Sequence, residues 1–386
     1  IITAEAGEKK GKGFTAELHD IVTPSQLRAK PACKHFGTCG GCSLQHMQDD
    51  ALANWKTQLI RDNLSRSGVE DVTFNPMQTS PAHSRRRVEF VAAKRKKGVM
   101  IGYHLKRSHQ LNDIGECPLI NKELMALVQP LRLLLSDIMP RNSRARLTLT
   151  NSPNGPDLLI SVEFSVDLEI REQLAEFATK HALSRICWQD QTDKYLETVC
   201  ELKPVEIPIG QSKVAISPGG FLQATQEGQD SLIKLTLAEI PAEAVIADLF
   251  AGCGSFTLPA TTVAKHITAY ENDLYLINAL KKAANSNMLP ITAEERDLFR
   301  NPVPAHELNK FDCVIIDPPR AGAAAQMEEI GYSTIKKVIF ISCSPSSFAR
   351  DAEQLTQAGY QMGPVTPIDQ FRWSNHVELF ATFTRP

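Results

Sequence analysis

The chain has 386 residues, 42% hydrophobic and 22% charged, with a formal net charge of −2. That size leaves room for two or three domains, and the composition is globular rather than disordered or fibrous. Near-neutrality excludes a chain-wide field for nucleic acid. No apolar run reaches the roughly 18 residues of a membrane span, and no signal peptide opens the chain, so a cytoplasmic monomer without a membrane partner is expected; Ile1 in place of Met leaves the natural start open.

Residues 1–30 are polar and lysine-rich, and EKKGKGFTAELHDIV reads as one or two strands. A second region spans residues 31–205. It opens with CKHFGTCGGC, which gathers Cys33, Cys39 and Cys42. Nine cysteines in a large, reducing-compartment chain argue for metal or catalysis rather than a disulfide framework. RRRVEFVAAKRKKGVMIGYH reads as a β-hairpin with a Lys/Gly turn, and LTLTNSPNGPDLLISVEF as another turning at Asn151–Pro156. SVDLEIREQLAEFATKHAL carries helical spacing. Between Arg85 and Arg107 stand nine Lys and Arg residues, with Glu89 the one acid. Such a run is either a nucleic-acid contact or a solvated face.

From residue 206 to 386 the pattern changes. AVIADLF, HITAYEND, FDCVIIDPPR and KVIFISCSP read as buried strands. DSLIKLTLAEI, LYLINALKKAANSN and SSFARDAEQLTQAG read as the helices around them. Alternating strands and helices imply an α/β fold with a parallel, doubly wound sheet.

The first of these strands runs into DLFAGCGSFTLPA, where Gly252 and Gly254 permit a tight turn and close approach of a ligand. The next strand ends in Glu271, an acid placed to accept from ribose hydroxyls. Asp297 follows in EERDLF, and Asp317 closes the fourth strand at the carboxyl edge of the sheet, where such folds bind ligands. The full dinucleotide fingerprint and the P-loop are both absent. A DLFxGxGxF loop followed by Glu, Asp and DPPR resembles the class I S-adenosylmethionine methyltransferases, a Rossmann-like fold. That resemblance, not the spacing, selects the cofactor.

Amino-group methyltransferases of this fold carry an NPPY-like motif where this chain has Asp317-Pro318-Pro319-Arg320. One strand later Cys343 sits at a strand end before a helix, where a helix dipole and cations stabilise a thiolate. The alternative role, a small buried apolar residue, fits Cys313 better. Glu378 lies inside an apolar alternation in NHVELFATFTR. A carboxylate is costly there unless it has a job or a partner, although a solvent-facing strand position also fits the pattern. One cysteine and one carboxylate are what methylation of uracil carbon 5 requires: addition at carbon 6, methyl transfer, proton removal and elimination. The base must leave its stack first.

CKHFGTCGGCSLQH, GECPLI, GGFLQATQEG, DLFAGCGSFTLP, DPPRAG, SCSP and HVE occur in that order. Together they resemble the RNA uracil-5-methyltransferases, in particular the iron–sulfur branch that modifies 23S ribosomal RNA. The resemblance implies Cys343 as nucleophile and Glu378 as base. It implies cofactor contacts from Gln223, Phe250, Gly252, Gly254, Ser255, Glu271, Asp297 and Asp317. On this reading residues 1–30 are the remnant of an N-terminal TRAM-like β segment, 31–205 a mixed α/β domain with the cluster and the basic hairpin, and 206–386 the methyltransferase domain. The chain departs from the family in SCSP for SCNP, in FRWSN for a Phe-Pro-His-Thr stretch, and in Ser255 for asparagine.

Cys117 adds a fourth thiolate to Cys33, Cys39 and Cys42, a set that suits either zinc or a [4Fe–4S] cluster. The three-plus-one spacing and the following proline favour the cluster in motif style, and the resemblance implies it directly. The rival readings are a transfer-RNA uracil-5-methyltransferase and a non-catalytic iron–sulfur RNA-binding factor. Phe90, Tyr103 and Phe221 are candidates to stack on bases, with core burial favoured for Phe90.

Overall fold

The computed structural model describes residues 1–11, 13–192 and 195–386. The C-terminal half is built on a nine-stranded sheet. Its order is Ile291–Glu295, His266–Glu271, Val245–Leu249, Cys313–Ile316, Lys337–Ser342, Glu378–Thr384, Thr366–Asp369 and Gln78–Thr79, with Gln361–Met362 also pairing to Glu378–Thr384. The first five strands are mutually parallel, and Glu378–Thr384 runs against Lys337–Ser342. Val314, Ile315, Ile316, Val338, Ile339 and Phe340 are all fully buried. This is why these strands read as continuous apolar runs: helices cover both faces of a parallel sheet. Gln226–Glu239, Leu274–Ser286 and Pro345–Gln357 are helices, as the sequence predicts. Asp273 caps the second of them by accepting from the Tyr275 and Leu276 N–H groups.

A seven-stranded sheet holds residues 87–201, in the order Tyr195–Glu201, Arg185–Asp190, Gly155–Val162, Arg144–Ser152, Arg87–Arg95, Gly98–His104 and Leu111–Asp113. Both predicted hairpins are present in it. Helices Val128–Ile138 and Leu168–Lys180 bury Leu131, Leu135 and Leu174 against its apolar side, where Phe90 is fully buried. At the N-terminus, strands Thr3–Lys10 and Gly13–Asp20 pair antiparallel, with Lys12 outside the described residues. No helix among the described residues is long and apolar enough to cross a membrane.

The basic run divides. Arg86 is buried and turns inward, donating to the Gln223 carbonyl (3.0 Å), Gln229 Oε1 (2.5 Å) and Gln226 Oε1. Arg87 donates to the Gly219 and Gly220 carbonyls at 2.9 and 3.0 Å. These two arginines clamp the GGFLQ segment instead of facing solvent. Arg95, Lys96 and Lys97 remain exposed at the hairpin tip.

The helix Asp49–Arg66, with no counterpart in the predicted elements, packs on the C-terminal sheet. Its Ile60 and Leu64 share a core with Phe340, Phe348 and Phe383. Lys56, in the middle of that helix, is 0% exposed and pairs with Asp369 at 2.7 Å. Its Nζ also donates to the Phe371 carbonyl at 3.2 Å. Burial lowers the Lys56 pKa, and the Asp369 carboxylate opposes that shift. Removing one member of a buried pair strands the other charge, at a cost of about 3–5 kcal/mol. Lys56→Met is therefore expected to lower the urea unfolding free energy by that order. A change under about 1 kcal/mol would mean that water or another cation replaces the ammonium.

Candidate active site

The strand register brings the predicted cofactor residues to one edge. Leu249 pairs with both Tyr270 and Ile316, so Phe250, Glu271 and Asp317 leave the sheet side by side. Glu271 pairs in turn with Glu295, two residues before Asp297. The loop between them is tightly wound. Phe250, Gly252 and Gly254 have φ of +60°, +58° and +93°. A Cβ on Gly254 would stand 2.6 Å from Leu280 Cδ1, so packing as well as φ requires glycine there. Phe250 holds a left-handed conformation without that freedom, a strain of about 1–3 kcal/mol that collects at functional loops. The Gly252 N–H donates to Glu271 Oε2 at 2.9 Å, which fixes the loop to the second strand. Beneath it, Thr257 donates to fully buried Asp248 at 2.5 Å.

A cavity of about 580 Å³ opens at this edge. Gln223, Phe250, Gly252, Ser255, Glu271, Asp297 and Asp317 line it, and so do Cys343 and Glu378. Gly254 instead packs beneath the loop. Ser342 pairs with Leu379 across the antiparallel strands, which puts Cys343 and Glu378 opposite each other at the next position. Glu378 is 5% exposed, which settles its orientation as inward. Burial and then Asp317 push its pKa up to about 8, with Arg320 pulling the other way. Burial alone pushes Asp317 up to about 7.

At Cys343 the helix dipole expected to favour a thiolate meets opposing effects. The helix Pro345–Gln357 does begin there, capped by Ser344. Yet burial, followed by the negative charge of Glu378 and Asp317, pushes the thiol up to about 11, against a smaller opposing pull from Arg320. Desolvation is the largest of these effects because the strand end is partly enclosed by its neighbours.

Gln223 reaches the cavity with a fixed amide. The Thr225 N–H donates to Gln370 Oε1 (3.3 Å), so Gln370 Nε2 is the donor to Gln223 Oε1 (2.9 Å). With that oxygen engaged, Gln223 offers its Nε2 donors to a ligand. Phe221, 65% exposed, lies at the cavity wall.

Cys33, Cys39, Cys42 and Cys117 line a separate cavity of about 160 Å³. Burial raises the Cys39 and Cys117 thiols and pushes Cys42 up to about 11, with Cys117 among the groups raising it further. Among the described residues, no three His, Cys, Asp or Glu side chains are placed to hold a single metal ion.

The tRNA (Uracil-5-)-methyltransferase family model matches residues 235–385. The chain is 38% identical over 395 residues to an RNA methyltransferase of Caulobacter vibrioides, covering 100% of this chain and 93% of that protein. It is 31% identical over 387 residues to the 23S rRNA (uracil(1939)-C(5))-methyltransferase RlmD of Pectobacterium atrosepticum, covering 97% of this chain and 84% of that one. The chain belongs to the RNA (uracil-5-)-methyltransferase family. The fold agrees: the Pyrococcus abyssi tRNA (uracil-54, C5)-methyltransferase, solved with S-adenosyl-L-homocysteine, superposes with a TM-score of 0.75 at 20% identity, covering 99% of this chain and 93% of that one. This is an S-adenosylmethionine-dependent RNA methyltransferase with a class I fold.

Several residues of this methyltransferase's cavity escaped the motif reading. Arg320 lines it immediately after the Asp317-Pro-Pro turn, and its charge reaches both Cys343 and Glu378. The arginine closing DPPR was the signal available. Phe371 lines the cavity as well, and Gln370 holds Gln223 in place; both come from DQFRWSN, whose composition carries no pattern of its own.

Proposed function

We propose that this methyltransferase forms 5-methyluridine in 23S ribosomal RNA, with Cys343 as nucleophile and Glu378 as base. The observation that carries the residue assignment is their placement opposite each other, inside the cavity that the cofactor-type residues line. The Pectobacterium relative supports the ribosomal target. A transfer-RNA target is the second reading, favoured by the description of the matching family model.

Bound S-adenosylmethionine supplies an electrophilic methyl group. Glu271 and Asp297 would hold its ribose and adenine end, and Asp317 and Gln223 the end nearer Cys343. Cys343 gives up its thiol proton to solvent as Sγ adds to carbon 6 of the uracil, and the electron pair moves onto carbon 5 and its carbonyl. Once carbon 5 has taken the methyl group, leaving S-adenosylhomocysteine, the ionised Glu378 carboxylate takes the carbon-5 proton. The carbon 5–carbon 6 double bond re-forms as the carbon–sulfur bond breaks, returning Cys343. A carboxyl raised to about 8 is well matched to accept that proton near neutral pH.

Residues 31–205 are read as the cluster-bearing domain and 206–386 as the methyltransferase domain. Four cysteines line one cavity, a donor set that fits a [4Fe–4S] core or zinc, and the motif style of the spacing supports the cluster. Zinc needs all four sulfurs about 2.3 Å from one point, whereas a cluster takes one thiolate on each iron. Methyl transfer by addition and elimination needs no electron, so the role assigned to this site is structural. Cys117→Ala is expected to lower the melting temperature and RNA affinity together. Full stability and RNA binding with lost catalysis would overturn that role.

The deciding experiment gives the protein methyl-labelled S-adenosylmethionine and separated 23S, 16S and transfer RNA lacking uracil-5 methylation. Labelled 5-methyluridine in 23S RNA is the expected result. Label in transfer RNA would replace the target and keep the chemistry. No label in any of them would overturn the proposal.

A further inference from the structure

Beside the cavity of Cys343 and Glu378 lies a second recess of about 270 Å³. The two share a wall, since Arg85, Arg320 and Phe371 line both. Their linings differ in charge: the first mixes acids with Arg85, Arg87, Arg296 and Arg320, whereas the second is basic. The first holds four carboxyl groups, Glu271, Asp297, Asp317 and Glu378. The second is lined by Arg85, Arg320, Arg372 and His376, with hydroxyls from Ser80, Ser84 and Ser374, and among its described lining residues none is Asp or Glu. Arg372 is partly neutralised by Asp49 at 2.6 Å. Arg85 uses its Nε on the Arg87 carbonyl (3.1 Å) and stands 5.8 Å over the Phe371 ring, which leaves its two terminal nitrogens toward the recesses. Phe371, which lines both spaces, meets His376 of the second edge to face at 5.8 Å.

A uridine in the first cavity brings a phosphate on each side. The neighbouring recess, with three arginines and no acid among its described lining residues, is the more basic place for one of those anions. Arginine and serine donors gathered without an acid are the chemistry of a phosphodiester contact. We propose that this recess binds a phosphodiester adjoining the target uridine, with Arg85 and Arg320 as its principal donors. The proposal rests on the uridine reading above and adds to it the subsite that sets how far the base reaches toward Cys343. The recess then acts as a positioning device. It holds the backbone while Phe371 separates the charged strand from the reacting base.

The test uses the full chain and RNA fragments with a single neutral methylphosphonate linkage. The linkage is placed either beside the target uridine or four nucleotides away, and 5-methyluridine formation is followed. Loss of one charge-assisted contact is worth about tenfold. The adjoining linkage is expected to lower kcat/KM about tenfold in the natural chain and less than about twofold in Arg85→Gln, because the contact is already missing there. Arg320→Gln serves as a second variant should the first disturb the neighbouring cysteines. The slope of log affinity against log salt should fall by about 0.7 in either variant. An adjoining linkage that costs no more than the distant one, with methylation intact, overturns the subsite and leaves the methyltransferase reading standing. Inorganic phosphate competing with RNA while the methylphosphonate has no effect would make the recess a free-anion site and also overturn the proposal. Absence of 5-methyluridine from every RNA overturns both readings.

Discussion

Cys343→Ala is expected to reduce 5-methyluridine formation to background while leaving S-adenosylmethionine binding within about twofold. The cofactor-type residues lie on other strand ends, and the thiol contributes a covalent bond that no neighbour can replace. The natural chain should behave distinctively toward alkylating agents. With its thiol pushed up to about 11, Cys343 is protonated at pH 7, so iodoacetamide should modify it slowly. The rate should rise about tenfold per pH unit up to that value. Rapid alkylation at pH 7 in the ligand-free protein would show that the helix dipole and Arg320 outweigh burial after all. Residual methylation in the alanine variant would remove Cys343 from the mechanism.

The second large effect belongs to Glu378. Glu378→Gln is expected to slow turnover by about 10²–10⁴-fold and to accumulate protein covalently joined to methylated RNA, visible as a band of reduced mobility on a denaturing gel. The adduct forms because the block falls after addition and methyl transfer. The pH dependence follows from the same group. Its carboxyl is pushed up to about 8, so it is mostly protonated at pH 6 and ionised at pH 9. Base catalysis therefore rises with pH across that interval. The limb near 8 should be absent from the glutamine variant, whose amide does not titrate. A variant that turns over normally, or fails without any adduct, would place the proton acceptor elsewhere.

The parallel sheet and its cofactor edge were legible in the sequence because doubly buried strands need unbroken apolar runs. Those runs end in the loop, in Glu271 and in Asp317. The inward direction of Glu378 was legible only as one of two alternatives, since an alternating strand does not declare which side is covered. The raised Cys343 thiol was not legible at all. It depends on enclosure by the strand carrying Glu378 and on Asp317, contacts set by tertiary packing. Arg86 and Arg87 misled for a related reason. A local run of charges says nothing about backbone carbonyls more than a hundred residues on, and those carbonyls draw both guanidiniums inward. The helix Asp49–Arg66 escaped notice because Lys56 interrupts its buried face, and a lysine is assigned to solvent until its Asp369 partner is known.

That helix has a consequence for biosynthesis. The Nζ of Lys56 meets the Phe371 carbonyl across 315 positions of sequence. Ribosomes add about 5–20 residues per second, so the helix waits on the order of 15–60 s for the strands that cover it. Ile60 and Leu64 share their core with strand residues from Ala247 to Phe383, so their packing is completed only as the last of these emerge. The narrow apolar face of this largely polar helix is therefore fully covered only late in synthesis. Folding of this enzyme is thus completed from its C-terminal end, where a lysine of an early helix finds its counterion.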